Sequence, residues 1–235
     1  MAAGKGVRLR PITERIPKCM VSVKGKPLAE RVLENIISAG VDEINMVVGY
    51  RKETIEDHFG PEFNGVKVNY FVQQEPKGTA HAVSLLADYV KGKFLIANAD
   101  VLASTKDYRR ILRVDEGEEF DGLMLARKDP EPWKYGVIKS HGNTIESIIE
   151  KPDPDNVRGN IVNAGIYRFN ANFMVSVMAT GLSVRGEYEL VDSIRKYMEI
   201  GKRVDYVLCE HTCLDISDIE DLKRANAMPD AVFPD

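Results

Sequence analysis

Two rhythms of apolar residues alternate along this chain. Val32, Leu33, Ile36 and Ile37 recur on one helical face until Gly40, and Pro27 stands at a first helical turn, where its missing N–H is no loss. Residues 43–48 then read as a strand, Ile55 and Phe59 as a short helix closed by Gly60-Pro61, and 66–72 as a strand. Residues 80–86 read as a helix, and 94–97 as a buried strand leading into Asp100. Alternation of this kind predicts an α/β fold whose mostly parallel sheet carries helices on both faces.

From Gly122 the rhythm changes. Shorter strands are predicted at 123–126, 137–138, 145–149 and 161–169, with few helices between them. The polar stretch 153–160, which holds Pro154 and Gly159, is predicted as a surface loop. Helices over 171–178 and 190–200 flank the segment 183–189, and a strand at 204–208 and a helix at 219–227 follow. No internal repeat is visible, so no C-terminal β-helix domain is expected.

Composition excludes several classes. With 235 residues, 44% of them apolar, the chain can bury a large core without covalent staples. Cys19, Cys209 and Cys213 are an odd set without a disulfide framework, which suits a reducing, cytoplasmic setting. No stretch has the apolar length of a membrane span or a signal peptide, so no membrane partner is expected. The formal net charge is −4 and the 32 Lys and Arg residues form no basic run, which argues against nucleic acid as a partner.

A phosphorylated small molecule needs only a few cations, and the first residues bring them together. In Ala2-Ala3-Gly4-Lys5-Gly6-Val7-Arg8-Leu9-Arg10-Pro11, followed by Pro17-Lys18, the glycines admit positive φ and let backbone N–H groups approach an anion. Lys5, Arg8 and Lys18 add charge. The wider pattern G-x-G-x-R-L-x-P-x-T-x-x-x-P-K-x-M is filled by Gly4, Gly6, Arg8, Leu9, Pro11, Thr13, Pro17, Lys18 and Met20. It resembles the signature of the sugar-1-phosphate nucleotidylyltransferases. Gly49-Tyr50, Gln73, Gly78-Thr79-Ala80, Asp100 and Tyr135-Gly136-Val137 follow in that family's order. So do Glu150-Lys151-Pro152, the run from Asn163 to Tyr167, Arg185-Gly186-Glu187, Asp215-Ile216 and Asp221-Leu222, and the resemblance covers nearly the whole chain.

The resemblance implies a single domain over residues 1–235 with a Rossmann-like sheet and a smaller sugar-binding lobe. About 1–121 would form the nucleotide-binding half and about 122–235 the sugar-phosphate-binding half. The reaction implied is attack of a sugar 1-phosphate oxygen on the α-phosphorus of a nucleoside triphosphate, with pyrophosphate leaving. Such chemistry asks the protein to position two anions and neutralise developing charge. Gly4, Gly6 and Arg8 would hold the triphosphate, Arg8 at the outgoing pyrophosphate, with Lys18 near the α-phosphate and Ala2 or Ala3 packed at the nucleotide. Asp100 and Asp215 would hold Mg²⁺, a hard ion that prefers oxygen ligands. Gln73 and Gly78 would meet the base.

For the sugar phosphate, the resemblance points to Glu150 accepting sugar hydroxyl protons and Lys151 binding phosphate. Gly136 and Asn163 would add hydrogen bonds, and Arg185 would be a second phosphate cation. Lys151 precedes Pro152 and is predicted to be extended. Trp133 and Tyr135 read equally as lobe packing and as sugar platforms. The motifs 78–83 and 185–189 most resemble thymidylyl- and uridylyltransferases, which favours glucose 1-phosphate with dTTP or UTP. The alternatives are mannose-1-phosphate guanylylation and a non-catalytic regulatory relative. A homo-oligomer is implied by the resemblance alone.

Four positions depart from the family's pattern: Val7 for threonine, Ala99 for glycine, Cys213 for tryptophan and Ser217 for glycine. Relatives also carry an apolar strand before the Ala-Ala-Gly. About four such side chains at ~1.5–3 kcal/mol each would rival a domain's whole stability of ~5–15 kcal/mol. The expectation is therefore an earlier natural start, a truncated chain, or another segment filling that place. Cys209, His211 and Cys213 alternate as ligands sharing one strand face would, but a fourth zinc ligand is not evident, so packing is the preferred reading. His81 reads as a cap or packing residue.

Overall fold

The computed structural model describes residues 1–113 and 120–229. Three short 3₁₀ turns, Val7–Leu9, Ile12–Glu14 and Lys18–Met20, precede the first regular elements. Then come β1 (Ser22–Val23), β2 (Lys26–Pro27), α1 (Leu28–Ser38), β3 (Glu43–Val48), α2 (Lys52–Phe59), β4 (Glu62–Phe63), β5 (Val66–Val72) and α3 (Thr79–Ser84). The middle holds β6 (Lys93–Ala97), β7 (Val101–Ala103), α4 (Thr105–Arg113), β8 (Gly122–Lys128), β9 (Gly136–His141), β10 (Thr144–Glu150) and β11 (Ile161–Asn170). The chain continues through α5 (Phe173–Met178), α6 (Leu190–Glu199), β12 (Val204–Leu208), β13 (Cys213–Asp215) and α7 (Ile219–Ala227). Two compact units result, and no single cut in the sequence separates them.

The first unit comprises Met1–Pro76, Asn98–Arg109 and the chain from His211 onward. Its β3 and β5 pair in parallel from Glu43↔Lys67 to Val48↔Val72, while β4 returns antiparallel to β5 through the Asn64-Gly65 turn. Ala2 bridges Val48 in the parallel sense, its N–H donating to the Val47 carbonyl at 2.7 Å, and the Met1 carbonyl accepts from Ala99 N–H at 3.0 Å. Ala2 joins the core with Ile44, Met46, Val48, Ile55 and Phe59.

Helix α1 buries Leu28, Val32, Leu33 and Ile36, as its periodicity predicts. Two of its polar residues, Arg31 and Asn35, are buried as well. Buried Arg31 donates to the carbonyls of Val23 and Lys24, each at 2.7 Å, and Asn35 donates to Ala103 O at 3.0 Å. The Asn35 bond ties α1 to β7, which pairs antiparallel with β13. Buried amide and guanidinium groups keep such bonds because leaving them unmade costs about 1–3 kcal/mol each.

The second unit comprises Lys77–Ala97 and Arg110–Glu210. Among the described residues its sheet has the order β6-β11-β8-β12-β10-β9, and only β12 and β8 run parallel. The expectation of a mostly parallel sheet is corrected here to a mixed one. Strands β9 and β10 are joined by the two residues Gly142 and Asn143, and a connection that short permits only an antiparallel pair. The core of this unit stacks Phe169 on Phe173 at 3.8 Å between centroids, with Tyr197 edge-on to Phe173 at 5.2 Å.

Gly122 begins β8 where the Phe169 ring crosses it: a Cβ there would lie 2.2 Å from Phe169 Cε1. The ring is itself held by three aromatic neighbours, Tyr167, Phe173 and Tyr197. Gly122→Ala is therefore expected to lower the unfolding free energy by about 1–3 kcal/mol through overpacking, read from urea denaturation. A change under about 0.5 kcal/mol would show that the ring yields freely.

Candidate active site

In the first unit, the glycine loop is shaped around one lysine. Gly6 has φ +64°, and a Cβ on it would lie 2.6 Å from Lys18 Cβ and 3.2 Å from Thr13 Cγ2. Thr13, itself buried, donates its hydroxyl to Gly6 O at 2.7 Å and so closes the loop from below. Leu9 is fully buried and anchors the loop's apolar side. Gly4 has open space around it, and Lys5, Val7 and Arg8 are exposed. Arg8 is near enough that its charge opposes that of Lys18.

Lys18 Nζ lies 2.5 Å from Asp100 Oδ2 and 3.9 Å from Asp215 Oδ1. The pairing of β7 with β13 brings the two aspartates together: Asp215 stands opposite Val101, and Ile216 N–H donates to Asp100 O at 3.0 Å. Burial works against the charge of Lys18, but Asp100 and Asp215 outweigh it and raise its pKa. Burial likewise opposes ionisation of Asp100, and the charge and hydrogen bond of Lys18 overcome it, holding that carboxyl below the usual range. Cys19, next in sequence, has its thiol pushed up to about 12, chiefly by burial, so it is a packing residue. Two adjacent carboxylates suit Mg²⁺, which is commonly held by one or two carboxylates together with substrate phosphates and water.

Gln73 and Ala3 meet elsewhere in the same unit. A Cβ on Gly49 would lie 3.0 Å from Ala3 Cβ and 3.2 Å from Gln73 O, so the segments that carry Ala3 and Gln73 both run close against Gly49. Gln73 is buried, and its N–H donates to Val48 O at 2.8 Å.

In the second unit, Gly78 has φ +111°, and a Cβ on it would lie 2.4 Å from Tyr188 O. Ala80 N–H donates to the same carbonyl at 2.8 Å, Tyr188 N–H to Lys77 O at 2.8 Å, and Leu190 N–H to Thr79 Oγ1 at 2.9 Å. Gly78 is thereby fastened to the segment that carries Arg185. Arg185 Nη1 lies 3.7 Å from Glu150 Oε1 and 3.6 Å from Glu189 Oε1, and Glu189 accepts from Ser183 Oγ at 2.8 Å. Gly136 faces Glu150 across the β9–β10 pair, where an added Cβ would lie 3.0 Å from Glu150 Oε2 and 3.5 Å from Asn163 Cβ. Asn163 donates to the Tyr167 hydroxyl at 2.6 Å and accepts from Gly165 N–H at 2.8 Å, which shapes an irregularity in β11 between Asn163 and Ile166.

Burial pushes the Glu150 carboxyl up; Lys151 and Arg185 oppose that shift, while Glu189 and Asp192 add to it. Lys151 Nζ sits 4.0 Å from Glu150 Oε1. Its backbone is not extended, as the following proline led us to expect, but has φ +44°. That conformation costs a non-glycine residue about 1 kcal/mol or more, and the hydrogen bond from Lys151 N–H to Tyr135 O at 3.0 Å helps to hold it.

Gly136, Glu150, Lys151, Asn163 and Arg185 are therefore neighbours in the second unit, and Asp100, Asp215, Lys18 and Gly6 are neighbours in the first. Sequence reasoning missed Glu189 as the second carboxylate at Arg185. Its spacing of four residues after Arg185 was the available signal. It also missed the Ser104-x-x-Asp107 pattern that starts α4, in which Asp107 N–H donates to Ser104 Oγ at 3.1 Å. The zinc alternative has no strand to stand on, because β12 ends at Leu208 and β13 begins at Cys213. Among the described residues no three His, Cys, Asp or Glu side chains gather as a metal site, and no helix is long and apolar enough to cross a membrane.

The family model for nucleotidyl transferases matches residues 1–230, and the chain belongs to that family. The UTP–glucose-1-phosphate uridylyltransferase AglF of Haloferax volcanii is 33% identical over 227 residues, 96% of this chain and 93% of the relative. The bifunctional protein GlmU of Methanococcus maripaludis is 36% identical over 203 residues, 86% of this chain. The match takes in only 47% of GlmU, so the chain spans about half the length of such relatives. A crystal structure of UDP-glucose pyrophosphorylase complexed with UDP-glucose superposes with a TM-score of 0.87 at 23% identity, covering 96% of this chain and 94% of that one. At that identity the likeness concerns the fold.

The Lys18–Asp100 pair gives stability a pH dependence. With its pKa lowered, Asp100 stabilises the fold above the ordinary carboxylate pKa of ~3.9, and that contribution is lost as pH falls through the lower folded value. Lys18, raised, contributes below its ordinary ~10.4 and loses its contribution as pH rises through the higher folded value. Lys18→Met is expected to destabilise by about 2 kcal/mol at pH 7, with a smaller penalty at a pH below the lowered folded pKa of Asp100, where that carboxyl is protonated in both proteins. Urea denaturation at the two pH values reads this directly; an equal penalty at both would show that the loss is one of packing.

Proposed function

We propose that this protein transfers a nucleotidyl group from UTP or dTTP to glucose 1-phosphate in a Mg²⁺-dependent reaction, with UTP the favoured donor. The observation that carries the reading is the convergence of Lys18, Asp100 and Asp215 beneath the Gly6 turn. The near-full-length likeness to a UTP–glucose-1-phosphate uridylyltransferase supports the donor and acceptor.

The chemistry required is an in-line displacement. An oxygen of the sugar 1-phosphate forms a bond to the α-phosphorus while the bond from that phosphorus to the pyrophosphate oxygen breaks, and pyrophosphate carries away the electron pair. Backbone N–H groups of the Gly4 to Gly6 turn and the Arg8 guanidinium bind the triphosphate, Arg8 toward the leaving pyrophosphate. Lys18 offsets charge at the α-phosphate. Asp100 and Asp215 would hold Mg²⁺, which when bound would supply Lewis-acid neutralisation of phosphate charge. Ala3 and Gln73 receive the nucleotide in the first unit, and Gly78, in the second, keeps the base-binding role that the resemblance implies. Glu150 accepts from sugar hydroxyls, with Gly136 leaving room for them and Asn163 shaping the adjoining strand; Lys151 and Arg185 bind the sugar phosphate.

Pyrophosphate release with Mg²⁺ tests the reading, with UTP, dTTP, GTP, CTP and ATP crossed against glucose, mannose, galactose and N-acetylglucosamine 1-phosphates. Release that requires both substrates and is greatest with glucose 1-phosphate and UTP or dTTP is the expected result. Asp100→Asn should lower kcat/KM about a hundred-fold or more. A folded protein that binds UTP yet releases no pyrophosphate with any pair would make this a non-catalytic relative instead.

A further inference from the structure

Adjacent residues on a strand point to opposite faces of the sheet. Glu150 ends β10, so an extended Lys151 would turn its ammonium away from the Glu150 carboxylate. The positive φ of Lys151 lets the two stand 4.0 Å apart instead. A residue before proline is sterically restricted, and a non-glycine residue with positive φ is strained, so this conformation persists only where its surroundings impose it.

The surroundings form a chain of contacts. Lys151 N–H donates to the carbonyl of Tyr135 at 3.0 Å. The Tyr135 ring lies beneath the Arg127 guanidinium, 4.1 Å from carbon to centroid. Arg127 is buried near the end of β8, and its Nη2 lies 3.1 Å from Asp129 Oδ2. Asp129 is fixed in turn by its N–H to Asn160 O at 2.9 Å. A buried guanidinium held flat on a ring is a rigid clamp, because the stacked cation is already desolvated and paired.

We propose that Arg127, through Tyr135, is a positioning residue for Lys151: it holds the strained backbone that directs the Lys151 ammonium to the sugar phosphate. The inference rests on the phosphate role given to Lys151 above. It also assigns the Tyr135 ring to the clamp, as the underside of Arg127.

Steady-state kinetics with UTP and glucose 1-phosphate test it. Arg127→Met is expected to raise the KM for glucose 1-phosphate about ten-fold, the scale of a desolvated cation–π contact. The KM for UTP should stay within about two-fold, and Arg127→Lys, which keeps the charge but cannot lie flat on the ring, should recover only part of the loss. Lys151→Ala should raise the same KM, and adding Arg127→Met to it should change nothing further, as expected of residues acting through one group. Should Arg127→Met fail to fold, Tyr135→Leu against Tyr135→Phe gives the same reading, with only the leucine variant impaired. A raised KM in Lys151→Ala with parental kinetics in Arg127→Met, or an undiminished Arg127→Met effect in the Lys151→Ala background, overturns the clamp alone. No effect of Lys151→Ala on the glucose 1-phosphate KM removes the phosphate role itself, and the clamp with it.

Discussion

The first unit is organised by a contact between a lysine stem and a backbone. Lys18 can lie against residue 6 only because that residue has no Cβ, and the turn at Gly6 is sealed by the Thr13 hydroxyl. An ammonium taken out of water is unfavourable by itself, so the position also needs anions. Asp100 and Asp215 supply them, and they are adjacent because β7 and β13 pair. That pairing is anchored through Asn35, which donates to Ala103 O and accepts from Thr105 Oγ1 at 2.7 Å. Loop, lysine, carboxylates and helix α1 therefore form one dependency, and each member explains a residue type that composition alone leaves arbitrary.

What could be read from the chain was whatever is decided locally. Strands β3, β5 and β12 and helix α7 fall where their apolar patterns put them, because each pattern reports one buried face. Sheet pairing is decided by distant partners: β6, read with the alternating first half, pairs antiparallel with β11 from the half where the rhythm changes. Some local signals were present and unused. Asn64-Gly65 joins β4 to β5 with positive φ at both residues, the requirement of a tight hairpin turn that this dipeptide meets. Glu189 was not legible as part of the site, since its importance comes from where Arg185 points, and Lys151 was misread because the preference before proline is only a preference.

The departures from the family's pattern look different once placed. Ser217 uses the hydroxyl that a glycine lacks: its side chain and its N–H both donate to Asp221 Oδ2, each at 2.9 Å, and they brace the capped start of α7 two residues beyond Asp215. Ala99 has no positive φ, and its N–H is used by the Met1 carbonyl, so the freedom of glycine is not required there. Val7 is exposed, and the structure gives its side chain no task. None of these substitutions disturbs Lys18, Asp100 or Asp215.

Two ways of fixing a cation emerge. Lys18 is placed by charge: its side chain is 12% exposed, and opposite charges on β13 and beside β7 leave it little choice of position. Lys151, with a side chain 44% exposed, is near one carboxylate at a distance where exposed pairs contribute little. For such a residue the direction of the side chain has to come from the main chain, because a long flexible stem in water is otherwise free to wander. The strained backbone at Lys151 and the buried charge at Lys18 are thus two answers to one problem. A phosphate must find a cation already in place, and the cation must be held by something other than the phosphate.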